Sequence, residues 1–161
     1  MKFEKISFET AEKEGVTQVE YDRVTLPKRA TIGSAGYDFI TPVAIRLAPG
    51  GSMVVPTCIK CELDLDKVLK IYPRSGLGFK FKTRLANTVG IIDADYYNNE
   101  SNEGHIMVKI CNEGNKAVDV PAGSAFCQGI IEKYYTVDEH EGSWAYGIRS
   151  GGFGSTTEVK K

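Results

Sequence analysis

Histidine is nearly missing from this chain. Its 161 residues include 2, His105 and His140, and neither has a cysteine or a second histidine at ligand spacing, so both are expected at surface or turn positions. A surplus of one charge is lacking too, because 20 Lys and Arg stand against 21 Asp and Glu. A nucleic-acid surface normally carries a basic excess, so a small ligand is expected, and a polyanion would have to be met by a local site. No apolar run approaches the ~20 residues that span a bilayer. The start, Met1-Lys2-Phe3-Glu4-Lys5, lacks the apolar stretch of a signal peptide. The cytoplasm is therefore the expected location, with neither membrane nor nucleic acid as a partner.

Cysteine is sparse and poorly placed for chemistry. Of the 4 present, Cys58 and Cys61 form one C-x-x-C pair, and Cys111 and Cys127 form no second one. The pair lies in an alternating β-branched stretch, where its thiols should face opposite sides of a sheet. Buried structural thiols are expected rather than zinc or a redox dithiol.

What is present is β structure. With 42% hydrophobic and 25% charged residues, the chain fits one soluble domain with a real core. Residues 16–21, 43–47, 52–63, 69–72, 106–111, 117–120 and 126–135 are β-branched or aromatic-rich and roughly alternating. Pro42, Pro49-Gly50-Gly51, Pro56, Pro73, Asn112-Glu113-Gly114-Asn115 and Pro121-Ala122-Gly123 punctuate them at the spacing of an all-β sandwich or barrel. Long amphipathic helices are absent. One short helix is expected over 75–85, capped by Ser75, with Leu77, Phe81 and Leu85 recurring at helical spacing. Residues 1–135 thus form a single β domain, while 136–161 are polar and Gly-rich and read as a flexible C-terminal arm. Glu4, Glu9, Glu12 and Glu14 make the first stretch polar, and no chemistry is visible in it.

The segment Asn87-Thr88-Val89-Gly90-Ile91-Ile92-Asp93-Ala94-Asp95-Tyr96 carries the most information. In an extended strand Asp93 and Asp95 would point one way and Ile92, Ala94 and Tyr96 the other. A carboxylate that follows buried residues and has a like-charged neighbour gains proton affinity, which suits a general base. A polar hairpin end built from Asp and Asn is the alternative, and taken alone the segment leaves both open.

Two glycine-containing segments suggest phosphate chemistry. Pro73-Arg74-Ser75-Gly76 leads from a strand into the short helix, so a cation, a hydroxyl and backbone N–H groups can converge on one anion. Arg149-Ser150-Gly151-Gly152-Phe153-Gly154-Ser155-Thr156 repeats that logic and adds one aromatic ring, as a lid closing over a heterocycle would use. A plain turn and a loose tail are the structural alternatives.

Together these segments resemble the homotrimeric deoxyuridine triphosphatases (dUTPases). The family's motifs occur in order over residues 35–156, as Ala35-Gly36-Tyr37-Asp38-Phe39, Pro73-Arg74-Ser75-Gly76-Leu77-Gly78, Gly90-Ile91-Ile92-Asp93-Ala94-Asp95-Tyr96, Gly123-Ser124-Ala125-Phe126-Cys127-Gln128 and Gly151-Gly152-Phe153-Gly154-Ser155-Thr156. The resemblance implies a distorted jelly-roll or β-barrel subunit of the dUTPase β-clip type, with one short helix and a flexible C-terminal arm. It implies a homotrimer with active sites at subunit interfaces. The implied reaction is hydrolysis of dUTP to dUMP and pyrophosphate, which supplies dUMP for dTTP synthesis and keeps uracil out of DNA.

Roles carry over residue by residue. Asp93 would activate the water that attacks the α-phosphorus. Asn87 and the backbone at Gly90, Ile91, Ile92 and Met107 would read uracil, Tyr96 would exclude ribose, and Phe153 would close over the base. Arg74, Ser75, Gly76, Gln128, Arg149, Gly154 and Ser155 would hold phosphates. Mg2+ would be held mainly by the substrate phosphates, with Asp38 supporting it through water or else fixing a turn.

This chain departs from the family pattern in places. Residues 97–103 precede Gly104 where relatives have a tight turn, and the preferred register is a solvent-exposed insertion after which Gly104-His105-Ile106-Met107 resumes the pattern. Ala125 stands where an arginine is common, and only Ser150 separates Arg149 from Gly151. A dCTP deaminase-like nucleotide enzyme and a non-catalytic nucleotide-binding regulator of the same fold are the rival readings.

Overall fold

The computed structural model describes residues 1–137; His140 and the arm's Arg149, Phe153, Gly154 and Ser155 lie outside the described residues. In chain order the elements are β1 (Lys2–Lys5), α1 (Phe8–Lys13), α2 (Gln18–Asp22), β2 (Tyr37–Ile40), β3 (Ile45–Leu47), β4 (Ser52–Pro56), β5 (Ile59–Glu62), β6 (Lys67–Pro73), α3 (Ser75–Phe81), β7 (Thr83–Leu85), β8 (Gly90–Ile92), a 3-10 turn at Ala94–Tyr96, β9 (Met107–Asn112), β10 (Val118–Val120) and β11 (Ala125–Lys133). The fold is mainly β, as the turn-punctuated pattern predicts. The described strands pair antiparallel in sheets ordered β2-β11-β6-β8, β4-β9-β7, β1-β5 and β10-β3, and they close no barrel.

Alternation places the core. In β9 and β10 the apolar positions Val108, Ile110, Val118 and Val120 are buried while Lys109 and Asp119 are exposed. Phe39 and Phe126 are the bulkiest fully buried side chains, each worth about 1.5–3 kcal/mol of burial. Phe3 stacks edge-on to Phe39 at 5.6 Å between ring centroids, which ties β1 to the centre.

The N-terminal stretch differs from expectation. It is folded, and residues 16–21 form no strand: Thr17 and Glu20 make a capping box that starts α2, and these reciprocal bonds outweigh the β-branched content. Ser7 caps α1 by accepting the Thr10 N–H, without the reciprocal bond. Ile6, Ala11, Val16 and Val24 are the apolar positions this region buries.

Three other boundaries shift. The stretch 52–63 is two strands, broken at Cys58, whose φ of 58° is left-handed. The helix over 75–85 stops at Phe81, where Lys82 turns left-handed and β7 begins. Arg74 rather than Ser75 is its N-cap, without a side-chain capping bond.

His105 is no surface residue. It is fully buried, its Nε2 accepts the Cys58 N–H at 2.9 Å, and burial pushes its pKa down to about 4. The neutral ring is therefore a structural acceptor that braces the break between β4 and β5. Cys58 and Cys61 are free, buried thiols, as expected of structural cysteines. Burial raises their pKa to about 11 and about 12.

Candidate active site

Strand register builds one side of the site. β11 runs between β2 and β6, with Gln128 opposite Asp38 on one side and Tyr72 on the other. Directly opposed residues point to the same face, so Asp38 and Gln128 emerge together. β6 ends at Pro73, and the next residue turns its guanidinium back, bringing Arg74 Nε to 3.4 Å from Asp38 Oδ1. Gln128 Nε2 donates to the Pro73 carbonyl at 3.4 Å. A Cβ at Gly36 would stand 2.6 Å from Gln128 Oε1, so glycine lets the Gln128 amide keep this position.

Asp38, Arg74, Ser75 and Gln128 thus line one cleft with Gly36. The Arg74–Asp38 pair is partly exposed and worth at most about 1 kcal/mol, so its effect is orientation rather than stability. The remaining guanidinium donors can serve an anion. Around the other side of Arg74 and Ser75, a second cleft adds Gly76, Lys80 and Ala125. Ala125 therefore does border the cationic region, with Lys80 as a further cation there.

A separate cleft forms where β8 leaves the sheet. β8 is an edge strand on β6, with Gly90 opposite Ile71 and Ile92 opposite Leu69. A Cβ at Gly90 would come within 3.1 Å of the Ile71 Cβ, so glycine allows the strands their close approach. The turn before it holds Thr88 at φ 66°, an uncommon conformation for a β-branched residue, and presents Asn87 beside Gly90. Asn87, Gly90, Ile91, Ile92, Tyr96 and Met107 all line this pocket of about 100 Å³. The outer backbone edge of β8 can hydrogen-bond a planar heterocycle lying in it.

Asp93 follows directly, but not as part of a longer strand. β8 ends at Ile92, and Asp93 starts the 3-10 turn. The expected sidedness survives by other means: Asp93 and Asp95 are exposed, Ile92 and Ala94 half-buried, and Tyr96 buried. Among the described residues nothing buries Asp93, so the desolvation expected of it is not seen there. In sequence Asp93 falls between two cleft-lining residues, Ile92 and Tyr96.

The 97–103 insertion is not the solvent-exposed loop expected from sequence. Asn99 is buried, Tyr97 Oη donates to the Glu4 carboxylate, and Glu103 accepts bonds from the Ser7 N–H at 3.1 Å and Thr10 Oγ1 at 2.5 Å. Gly104, at φ 82°, lies so close to the Tyr96 carbonyl that a Cβ would be 2.6 Å away, Asn98 is left-handed too at φ 55°, and β9 begins at Met107.

The dUTPase family model matches residues 22–157. The chain belongs to the dUTPase family. A deoxyuridine 5'-triphosphate nucleotidohydrolase of Lactococcus lactis is 37% identical over 143 residues, covering 89% of this chain and 95% of that protein. The crystal structure of a dUTPase from Streptococcus mutans superposes with a TM-score of 0.71 at 33% identity, covering 86% of this chain and 100% of that one. A dUTPase variant from phage phi11 of S. aureus, in which a structural Mg(II) ion is coordinated, shares the fold at a TM-score of 0.63 and 17% identity, covering 81% of this chain and 97% of that one.

Among the described residues the dUTPase motifs line more than one cleft. Those carrying Asp38, Arg74, Ser75 and Gln128 converge, as do those carrying Asn87, Tyr96 and Met107, yet the two sets of clefts share no lining residue. Sequence reasoning missed the apolar floor of the second pocket, Ile71, Leu85, Ile106 and Val108, which strand alternation hides among ordinary core positions. It also missed Asn99, Asn102 and Glu103, whose only signal is an unusual density of turn-forming residues in the insertion.

Proposed function

We propose that this chain is a dUTP pyrophosphatase that hydrolyses dUTP to dUMP and pyrophosphate. The observation that carries the reading is the position of Asp93, an exposed carboxylate that directly follows β8, whose residues Gly90, Ile91 and Ile92 line a narrow pocket. Uracil lies against β8, where Asn87 and the backbone of Gly90, Ile91, Ile92 and Met107 satisfy its polar edge. A different base leaves these groups mismatched, and an unmet buried polar group costs about 1–3 kcal/mol. Tyr96 packs beneath the sugar and excludes a 2′-hydroxyl.

Asp93 takes a proton from water as the oxygen attacks the α-phosphorus. The bond from that phosphorus to the bridging oxygen breaks, and pyrophosphate leaves. Arg74, Ser75, Gly76 and Gln128 orient the phosphates, with Arg149, Gly154 and Ser155 of the arm added on closure and Phe153 over the base. Mg2+ would be carried mainly by the substrate phosphates, with Asp38 supporting it through water; among the described residues no group of three or more His, Cys, Asp or Glu could hold a metal. When bound, Mg2+ neutralises phosphate charge.

The disjoint clefts support a jelly-roll homotrimer in which the phosphate side of one subunit meets the base pocket of another. The enzyme works in the cytoplasm, supplying dUMP for dTTP synthesis and keeping uracil out of DNA. Pyrophosphate release measured on dUTP, dTTP, dCTP and UTP, with and without Mg2+, tests the reading. Strong preference for dUTP is expected. Release of ammonia from dCTP would favour a deaminase, and nucleotide binding without turnover would favour a regulator.

A further inference from the structure

The insertion after Tyr96 closes back on Tyr96 itself. The tyrosine hydroxyl donates to the His105 carbonyl at 2.8 Å and accepts from Asn102 Nδ2 at 2.8 Å. At the other end of the residue, Asn99 Nδ2 donates to the Tyr96 carbonyl at 2.8 Å. The two amides also hold each other, because Asn99 Nδ2 donates to Asn102 Oδ1 at 2.8 Å, and that same oxygen accepts the Gly104 N–H at 3.1 Å. Asn99 Oδ1 takes up the Ser101 and Asn102 N–H groups at 3.0 and 3.2 Å.

This network fixes the orientation of Asn102. Rotating its amide would set a nitrogen against two donors, Asn99 Nδ2 and the Gly104 N–H, and an oxygen against a hydroxyl whose proton is already given to His105. The loop has an outside anchor as well. Glu103 binds Ser7 and Thr10 of the α1 cap and lies 3.3 Å from Lys60 Nζ. The clamp is thus tied to elements on both sides.

Excluding a hydroxyl by sterics requires a wall that does not yield. A ring free to move by a few tenths of an ångström would relieve most of the clash, whereas a ring held by its hydroxyl and its backbone cannot. We infer that Asn102 is a positioning residue for Tyr96 and so sets selectivity for 2′-deoxynucleotides over ribonucleotides. The inference rests on the reading that Tyr96 packs beneath the sugar. It gives a function to the insertion, whose Asn102 also lines a cleft with Asn87 and Met107.

The test is the ratio of kcat/KM for dUTP to that for UTP in Asn102→Ala, Tyr96→Phe, the double variant and Tyr96→Ala. One lost hydrogen bond corresponds to a loss of discrimination of about fivefold. Each of the first two variants should show it, chiefly through a lower KM for UTP, and in Asn102→Ala kcat for dUTP should change little. The double variant should lose less than the sum of the two single losses, since the bond between Asn102 and the Tyr96 hydroxyl is removed in both. A merely structural lesion would lower both nucleotides together and leave the ratio in place. A ratio unchanged in Asn102→Ala but collapsed in Tyr96→Ala overturns the inference and spares the sugar reading; a ratio unchanged in Tyr96→Ala overturns both. Should Asn102→Ala fail to fold, Tyr96→Phe removes the bond from its other end, and undiminished discrimination there is equally fatal.

Discussion

Replacing Glu103 with glutamine should destabilise the protein by an amount that depends on pH. Burial alone would raise the pKa of this carboxyl, but bonds from Ser7, Thr10 and Lys60 outweigh it and hold the group at about 2, against 4.5 for an ordinary glutamate. At ~1.36 kcal/mol for each tenfold change in proton affinity, that corresponds to about 3 kcal/mol. The side chain is 31% exposed, so solvent screening brings the expected value nearer 2 kcal/mol. Because the folded-state pKa is depressed, the contribution is fully present above 4.5 and is lost as pH falls through 2.

Urea titrations of wild type and Glu103→Gln at one fixed protein concentration measure the difference, since assembly would make apparent stability concentration-dependent. At pH 7 the variant should be weaker by about 2 kcal/mol, or about 4–8 °C in Tm for a chain of this length. At pH 3 the gap should shrink to less than about half. A gap of equal size at both pH values, or none at pH 7, would refute the claim that an ionised Glu103 holds the insertion to α1.

Other consequences test the site. Gly36→Ala drives a Cβ toward Gln128 Oε1, and KM for dUTP should rise about tenfold with the circular dichroism spectrum unchanged; an unaltered KM would remove Gln128 from the phosphate contacts. Asp93→Asn and Arg74→Ala should each be inactive, yet refolding them together should restore part of the activity if the two cleft sets belong to different subunits. No recovery would put both on one chain. Ending the chain before Arg149 should leave the unfolding midpoint intact and cripple turnover, whereas an unchanged rate would make that segment a mere linker.

Much of this architecture is legible in the sequence because period-2 alternation and Pro/Gly punctuation are local signals. β6, β9 and β11 fall within a few residues of their expected places for that reason. The failures have particular causes. α2 looked like a strand because Val16, Val19 and Tyr21 favour strands, while the capping pair Thr17 and Glu20 was overlooked. His105 looked exposed because nothing local reveals that the Cys58 N–H, 47 residues away in sequence, needs its nitrogen. The candidate residues Asp38, Arg74 and Gln128 could be named from motifs, but their convergence depends on the register of β2, β11 and β6, a long-range property. Asn102 carried no motif at all, and only folding the insertion back onto Tyr96 gives it meaning.

The central claim is that Asp93 activates water for attack on the α-phosphorus. Hydrolysis of dUTP in heavy-oxygen water, followed by mass spectrometry of both products, tests it most directly. The account predicts label in dUMP and none in pyrophosphate, with turnover nearly abolished in Asp93→Asn. Label in the pyrophosphate, or near-normal turnover of that variant, would contradict it.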